Sequence, residues 1–479
     1  MLLNIFKKAT SLLGIILSIS CYLLPDVSFA QYTKLLDFAD TTNGINPRGT
    51  LVSDGLFLYG MTNKGGTNGG GNIFKIKPDG TSYSAIFQFD SINGTSPFGS
   101  LILDSVNLYG MTPQGGNTNM GVLFKIKRDG TGYTKMIDFA GSANGSYPVG
   151  SLIENGAFLY GMAQYGGAND MGTLFKIKTD GTGYSRLFDF DSLSGRFPFG
   201  SLISDGTYLY GMTNQGGINN LGVIFKIKTD GTAFSKLLDF AGAANGQFPR
   251  GSLFFDGIFL YGMTDQGGAN DMGVVFKIKP DGSAYTDILD FAGTSNGRSP
   301  WGSLISDGVF LYGMTRAGGA DNTCGSDGCG ALFKVMTDGT GYTKLVDFGA
   351  SNGSAPYGAL VAEGSFVYGL TANGGSGSCI TGCGTIFRYD WPVGITESVK
   401  STDFNVFPNP FSSQTTILFN NDIKKGEVKI VDVLGKELRT LRFTGERLII
   451  ERGELLSGIY FIQLKTEQGV VSKKLILTY

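Results

Sequence analysis

PFGSLILDSVNLYGMTPQGGNTNMGVLFKIKRDGTGYTKMIDF, residues 97–139, is one of seven versions of a single phrase, and its pattern of short apolar runs decides the fold. The Tyr of its L-Y-G core returns at Tyr59, Tyr109, Tyr160, Tyr210, Tyr261, Tyr312 and Tyr368. Self-similarity at such a period means a solenoid, a propeller or an array, in which a residue present in every copy builds the unit. Function is therefore sought where the copies differ. Within this copy Ser100–Leu103, Asn107–Met111, Val122–Lys127 and Tyr133–Phe139 are apolar stretches separated by turn residues. In Leu123-Phe124-Lys125-Ile126-Lys127 apolar and charged residues alternate, as on a half-buried strand. Asp129-Gly130 supplies the positive φ of a tight hairpin, and Asp79-Gly80, Asp180-Gly181, Asp230-Gly231, Asp281-Gly282 and Asp338-Gly339 repeat it. Four antiparallel strands in about 50 residues describe one propeller blade, close to a kelch repeat in length.

The first three strand types occur in every copy, from Gly49-Thr50-Leu51 to Phe387-Arg388-Tyr389. The fourth follows only six of them, ending at Phe89, Phe139, Phe190, Phe240, Phe291 and Phe348. The missing one stands at the front, as Tyr32-Thr33-Lys34-Leu35-Leu36-Asp37-Phe38. The expected fold class is all-β: a seven-bladed β-propeller over residues 31–389, closed by its N-terminal strand, followed by a small C-terminal β-sandwich. Closure hides two strand edges that would otherwise invite pairing with other chains, whereas an open solenoid would need polar caps.

Of 479 residues, 75 are Gly, but they recur at fixed phases between apolar runs and so read as turns of a folded repeat. A net charge of −2 gives no reason to expect nucleic acid as a partner. The chain has no His, which removes Ser-His-Asp and Cys-His machinery and imidazole metal ligands. Residues 1–30 read as a signal peptide: Lys7 and Lys8, a mostly apolar Leu12 to Leu24, then Ser28-Phe29-Ala30, with cleavage expected between Ala30 and Gln31. A lipoprotein reading through Cys21 is weaker, because Ser18-Ile19-Ser20 lacks the aliphatic residue expected three places upstream. The repeat stops at Tyr389, residues 390–403 read as a linker, and residues 404–479 have fewer glycines and no repeat. Residues 400–479 carry 12 Lys+Arg against 9 Asp+Glu, while residues 31–399 carry 24 against 30. Thr415 to Phe419, Glu427 to Val433, Leu448 to Ile450 and Gly458 to Leu464 read as strands of the small sandwich.

Val406-Phe407-Pro408-Asn409-Pro410-Phe411, Val428 to Lys436, Leu456 to Phe461 and Lys473 to Leu477 resemble, in phrase and order, the type A sorting domain of the type IX secretion system of Bacteroidetes. That resemblance implies Sec export to the periplasm, then passage through the outer membrane by the type IX machinery. It also implies removal of the domain, with release or attachment to surface lipopolysaccharide. The repeats resemble the GloVer tandem-repeat, or choice-of-anchor, proteins through the L-Y-G core, with Val367 in place of Leu in the last copy. This second resemblance implies surface display and supplies no catalytic residues.

The repeated Asp of the Asp-Phe strand (Asp37, Asp138, Asp189, Asp239, Asp290, Asp347) could form a carboxylate ring, but Gln88 replaces it once and structural hydrogen bonding explains it better. Gly166 to Gly172 and Gly267 to Gly273 could offer oxygens to Ca²⁺, yet they lack alternating carboxylates and Glu, so turn formation is the simpler reading. Glu154 and Glu363, outside the repeat pattern, would be the carboxylates of a glycan-active enzyme, but they read as unpaired turn residues. Four cysteines remain after the signal. Cys324–Cys329 and Cys379–Cys383 are the favoured disulfides of an exported chain; the other two connectivities and a Cys₄ zinc site are the alternatives.

The most suggestive divergence is the x of Pro-x-Gly: Arg48, Phe98, Val149, Phe199, Arg250, Trp301 and Tyr357. In blade order the fourth-to-first loop opens on the channel mouth. Four aromatics and two arginines there could stack on sugars or grip a peptide; the competing reading is packing between blades. The expected function is non-catalytic binding or adhesion at the cell surface, to a glycan or a protein, by a monomer with no cofactor or metal. A purely structural surface protein is the alternative, and a glycan-active enzyme the more distant one.

Overall fold

The protein is described here by a computed structural model covering residues 32–39, 43–377, 379, 382–390, 404–419, 425–432, 436–466 and 469–477. The expected cleavage site at Ala30 and Gln31, Cys21, and all of the linker but Asp390 lie outside these residues. Among them every regular element is a strand.

Between Tyr32 and Asp390 the strands form seven antiparallel sheets among the described residues. The first runs Val52–Ser53, Leu58–Thr62, Asn72–Ile76, Ser84–Gln88 in spatial as in chain order. The sixth repeats it as Ile305–Ser306, Phe310–Thr315, Ala331–Met336, Thr343–Asp347. The fourth gains an extra strand, Arg196–Pro198. In the last sheet Val361–Glu363, Phe366–Thr371 and Thr385–Asp390 are joined by Tyr32–Asp37, with Tyr32 opposite Tyr389 and Asp37 opposite Thr385.

Local chemistry explains why each repeat folds alike. The L-Y-G-M-T run is buried throughout, so its strand carries apolar residues on both faces. Its glycine is a packing requirement: Gly60 sits opposite Phe74, and a Cβ on it would lie 2.5 Å from the Phe74 ring. On the next strand Lys75 is the half-buried break in an otherwise buried run. The Asp-Gly turn closes through its own side chain, since Asp79 Oδ1 accepts from the amide and hydroxyl of Thr81 at 2.8 and 2.7 Å.

Sheets meet face to face through one recurring cluster. Tyr59, Met61, Ile73 and Phe89 of the first pack on Leu101, Leu108, Phe124 and Ile126 of the second. The same chemistry joins the last sheet to the first, where Phe38, Tyr368, Leu370 and Ile386 pack on Leu51, Leu58, Phe74 and Ile76.

The innermost strands differ from the sequence reading. Gly49-Thr50-Leu51 and Ser100-Leu101 are not paired strand; hydrogen-bonded pairing begins at Val52 and Ile102. The reason is non-local. The Thr50 amide donates to Ser100 Oγ at 2.7 Å, Ser100 to Ser151 Oγ at 2.7 Å, and Ser151 to Ser201 Oγ at 2.7 Å. Ser201 and Ser252 continue the series to Ser252 Oγ and Ser303 Oγ, both at 2.8 Å. The Ala359 amide then donates to Thr50 Oγ1 at 2.8 Å. These amides are satisfied by the neighbouring sheet instead of their own.

The C-terminal part packs a three-stranded sheet (Phe404–Phe407, Gln414–Phe419, Arg447–Glu451) on a four-stranded one (Glu437–Thr444, Lys425–Val431, Gly458–Thr466, Gly469–Leu477). Phe404, Ile417, Phe419, Val428, Ile430, Phe443 and Ile462 share its core. The motif residues meet at Asn409, whose Nδ2 donates to the Lys474 carbonyl at 2.8 Å while its Oδ1 accepts from the Ile476 amide at 2.7 Å. The first and last phrases of the C-terminal motif thus interlock.

Candidate functional site

All seven Pro-x-Gly residues line one shared cavity of about 140 Å³. Four of them form a closed circuit of rings. Phe98 lies 5.2 Å from Phe199, Phe199 5.9 Å from Trp301, Trp301 4.9 Å from Tyr357, and Tyr357 6.3 Å from Phe98, all edge to face. The two arginines lie on these rings: Arg48 Cζ is 5.0 Å from Phe98 and 5.2 Å from Tyr357, and Arg250 Cζ is 4.0 Å from Trp301 and 5.3 Å from Phe199. Val149 is buried at 4% exposure; the other six are half-buried. These side chains therefore pack on one another across the cavity, which is neither an open stacking platform nor ordinary packing between sheets.

A second circle of residues, missed in the sequence, holds the first. Asp265, 4% exposed, accepts from Trp301 Nε1 at 2.8 Å and from Arg250 Nε at 3.0 Å. Arg316 in the next copy lays its guanidinium 5.2 Å from the Trp301 ring. Both stand just after the repeated Y-G-M-T, at a position held elsewhere by Asn63, Pro113, Gln164, Asn214 and Ala372. Copy-to-copy divergence in that column was the available signal. An aromatic strip extends outward beside it: Tyr147 lies 6.0 Å from Tyr165, and Tyr165 5.0 Å from Phe197, which carries Arg196 at 5.1 Å. Tyr165 is 37% exposed.

The backbone under this face is strained in every copy. Each residue before the Pro (Asn46, Ser96, Tyr147, Phe197, Phe248, Ser299, Ala355) has φ between 51° and 60°. Non-glycine residues rarely adopt that region, and a following proline further restricts the backbone. Strain kept in all copies marks the face as one whose geometry is imposed by its surroundings.

The other candidates resolve into structure. Asp138, Asp239, Asp290 and Asp347 each accept, through Oδ1, the backbone amide following a Gly-Gly pair, at 2.7–2.9 Å. Gln88 does the same for Thr67 at 3.1 Å. In the Asn/Asp loops Asp170 and Asp271 accept the Gly166 and Gly267 amides at 2.9 and 3.0 Å, a turn-forming role. No cluster of three metal-ligating side chains occurs among the described residues. Glu154 and Glu363 are strand residues, in Ile153–Asn155 and Val361–Glu363, which corrects their reading as turn positions. Glu154 is exposed at the surface, but partial desolvation and the nearby Asp104 push its carboxyl above its ordinary range. Asp104 is committed to its own turn: burial works against its charge, but the Asn107 and Val106 amides and the Tyr109 hydroxyl hold its carboxyl low. A groove of about 320 Å³ at the last-to-first seam is lined by Asp79, Glu363, Phe366, Tyr368 and Arg388.

Cys324–Cys329 and Cys379–Cys383 are disulfides, each with Cα atoms 5.3 Å apart. They close loops in adjacent sheets beside the cavity face. Because each bridge spans so few residues, reduction is expected to raise amide exchange around 320–330 and 374–384 only. The melting temperature should fall by only about 2–5 °C. A collapse of the whole repeat region on reduction would contradict these local roles.

The repeat region is matched by the family model described as Gloeobacter/Verrucomicrobia repeat, over residues 23–158, 144–258, 204–325 and 254–422. Residues 405–478 match the secretion system C-terminal sorting domain. No curated protein sequence matches the chain. Among solved structures it is similar to an oligogalacturonate lyase in complex with manganese (12% identity, 77% of this chain and 96% of that one, TM-score 0.50). An oligogalacturonate lyase from Vibrio parahaemolyticus follows at 12% identity, 77% and 95% coverage and TM-score 0.47. A puromycin-hydrolyzing peptidase from Mycobacterium tuberculosis gives 12%, 81% and 61%, and 0.48. At 12% identity the first of these likenesses speaks to a propeller-like fold alone.

Proposed function

The chain belongs to the Gloeobacter/Verrucomicrobia repeat family and carries a type IX sorting domain, and from that premise we propose that it is a non-catalytic glycan-binding protein. The sorting domain makes it an exported, secreted or cell-surface protein handled by the type IX machinery. We read the repeats as a seven-bladed propeller over residues 31–389, closed by its N-terminal strand and joined by residues 390–403 to the sorting sandwich at 404–479. The pairing of Tyr32–Asp37 with Thr385–Asp390 and the Ala359-to-Thr50 hydrogen bond support closure. A cleaved signal at Ala30–Gln31 and Sec export belong to the same reading.

The observation that carries the binding role is the convergence of the divergent Pro-x-Gly residues on one face, beside the Tyr147–Tyr165–Phe197 strip. An exposed aromatic ring such as Tyr165 suits the apolar face of a sugar, and the adjoining Gln164 amide offers both donor and acceptor to hydroxyls. Catalysis is not assigned: Glu154's nearest acidic influence, Asp104, is already engaged by backbone amides.

The test is a glycan array probed with the full chain and with Tyr165→Ala. Loss of one stacking partner should weaken retention about 3- to 10-fold at unchanged melting temperature. Equal retention by both proteins, or none by either, rejects the reading. Trp301→Ala with Arg250→Ala is a poorer probe, because it strips Asp265 of both donors and buries an unpaired carboxylate.

A further inference from the structure

We infer that the ligand of this face is an anionic glycan, one whose sugars carry carboxylate or sulfate groups. This rests on the glycan-binding reading above and adds the charge of the ligand to it. Three guanidiniums on the face lie against aromatic rings: Arg48 on Phe98 and Tyr357, Arg316 on Trp301, Arg196 on Phe197. None of the three makes a salt bridge with a carboxylate among the described residues, whereas Arg250 is paired with Asp265 and Arg298 with Asp327. The Nε atoms of Arg196 and Arg316 are buried without a hydrogen-bond partner. The repeat region as a whole is not basic, since residues 31–399 carry 24 Lys+Arg against 30 Asp+Glu. Three guanidiniums without a salt-bridge partner are nevertheless gathered on this one face.

An arginine held against a ring loses part of its hydration and its side-chain freedom before any ligand arrives. Its Nη groups can then give two N–H bonds to a carboxylate or sulfate, because Arg48 Nε is already given to Asn46 Oδ1 at 2.7 Å and the Nε atoms of Arg196 and Arg316 are buried. The faces of Trp301, Tyr357 and Phe98 are occupied by guanidiniums, so the mouth is better built to hold an anion than to stack a bare sugar. Stacking falls to the Tyr147–Tyr165–Phe197 strip beside it. A peptide is disfavoured because the inner turns of this face have little main chain left for pairing. The inner turns spend their amides on the neighbouring serines.

The experiment uses the full chain and four soluble probes: an oligouronate, its carboxyl-reduced neutral counterpart, a sulfated oligosaccharide and its desulfated counterpart. A peptide with a free C-terminal carboxylate is the fifth. At least one anionic glycan should bind 10-fold or more tightly than its neutral partner, with affinity falling as salt rises. The two pairs tell carboxylate from sulfate. Arg316→Gln and Arg196→Gln should each cost 3- to 10-fold at unchanged melting temperature; should one fail to fold, the other carries the test. Equal binding of charged and neutral partners overturns the inference while leaving the glycan-binding face in place. Preference for the peptide, or anionic binding indifferent to both substitutions, also overturns it. Failure of every glycan, here and on the array, removes the underlying reading instead.

Discussion

Deleting Tyr32–Phe38 from the full chain is expected to abolish cooperative folding of the repeat region. The segment contributes the outer strand of the last sheet, and its removal bares the edge of Thr385–Asp390. An unpaired edge of this kind invites association with other chains, so the truncated protein should aggregate. The segment is also core. Phe38 is fully buried, 5.4 Å from the Phe74 ring of the first sheet and 6.4 Å from Tyr83, and Tyr32 stacks on Phe387 at 5.3 Å. The point variant Phe38→Ala should cost about 3–5 kcal/mol, the usual range for emptying a buried Phe site. Its internal comparator is Phe139→Ala, which removes the same residue from an ordinary seam. If the last-to-first seam is a seam like the others, urea titrations will give the two variants similar losses. A loss below about 1 kcal/mol for Phe38→Ala, with a truncated chain that melts like the parent, would mean that the ring is not closed by this strand.

The parts of the fold legible in the sequence are those written into each copy by local rules. Tyr, Gly and Phe at fixed phases set strand, register and core, because Gly60 can face Phe74 only without a side chain. Asp-Gly placed the hairpins, and the spacing of four cysteines favoured the two local disulfides found. The rest depends on contacts between distant copies. Ser100 and Thr50 read as one strand type, but their amides are committed to neighbouring sheets, so paired strand begins two residues later. That Arg48 would lie on Phe98 and Tyr357 follows from contacts that bring residues 50 and 309 positions away together, which no local pattern records. Tyr147, Phe197 and Phe248 are not residues whose chemistry announces a left-handed backbone. Asp265 and Arg316 are a different case. Their column varies as freely as the Pro-x-Gly column, and its divergence was readable in the sequence.

The innermost turns yield the other large effect. Gly251 does not need its glycine for backbone conformation; it needs it for distance. A Cβ there would lie 2.1 Å from the Gly302 carbonyl oxygen and 2.8 Å from its carbon, and both neighbours are backbone. Gly200 approaches the Gly251 oxygen in the same way, at 2.1 Å, so a shift to relieve one contact tightens the next. Gly251→Ala should therefore cost about 3 kcal/mol or more, at or beyond the upper end of ordinary overpacking. It should also break the Ser201–Ser252–Ser303 hydrogen bonds. Gly257→Ala separates this crowding from conformational strain. Gly257 has φ +99° and nothing within 4 Å of an added Cβ, so its substitution strains the backbone without a clash and should cost about 1 kcal/mol. The two variants should differ in binding as well. Arg250 and Trp301 immediately precede Gly251 and Gly302, so displacing the inner turns moves the aromatic circuit, whereas Gly257 lies in the hairpin between Phe254–Phe255 and Leu260–Met263. Equal stability and equal glycan retention for the two variants would show that the inner turns do not press on one another, and the cavity would then lose the rigid frame on which its binding role depends.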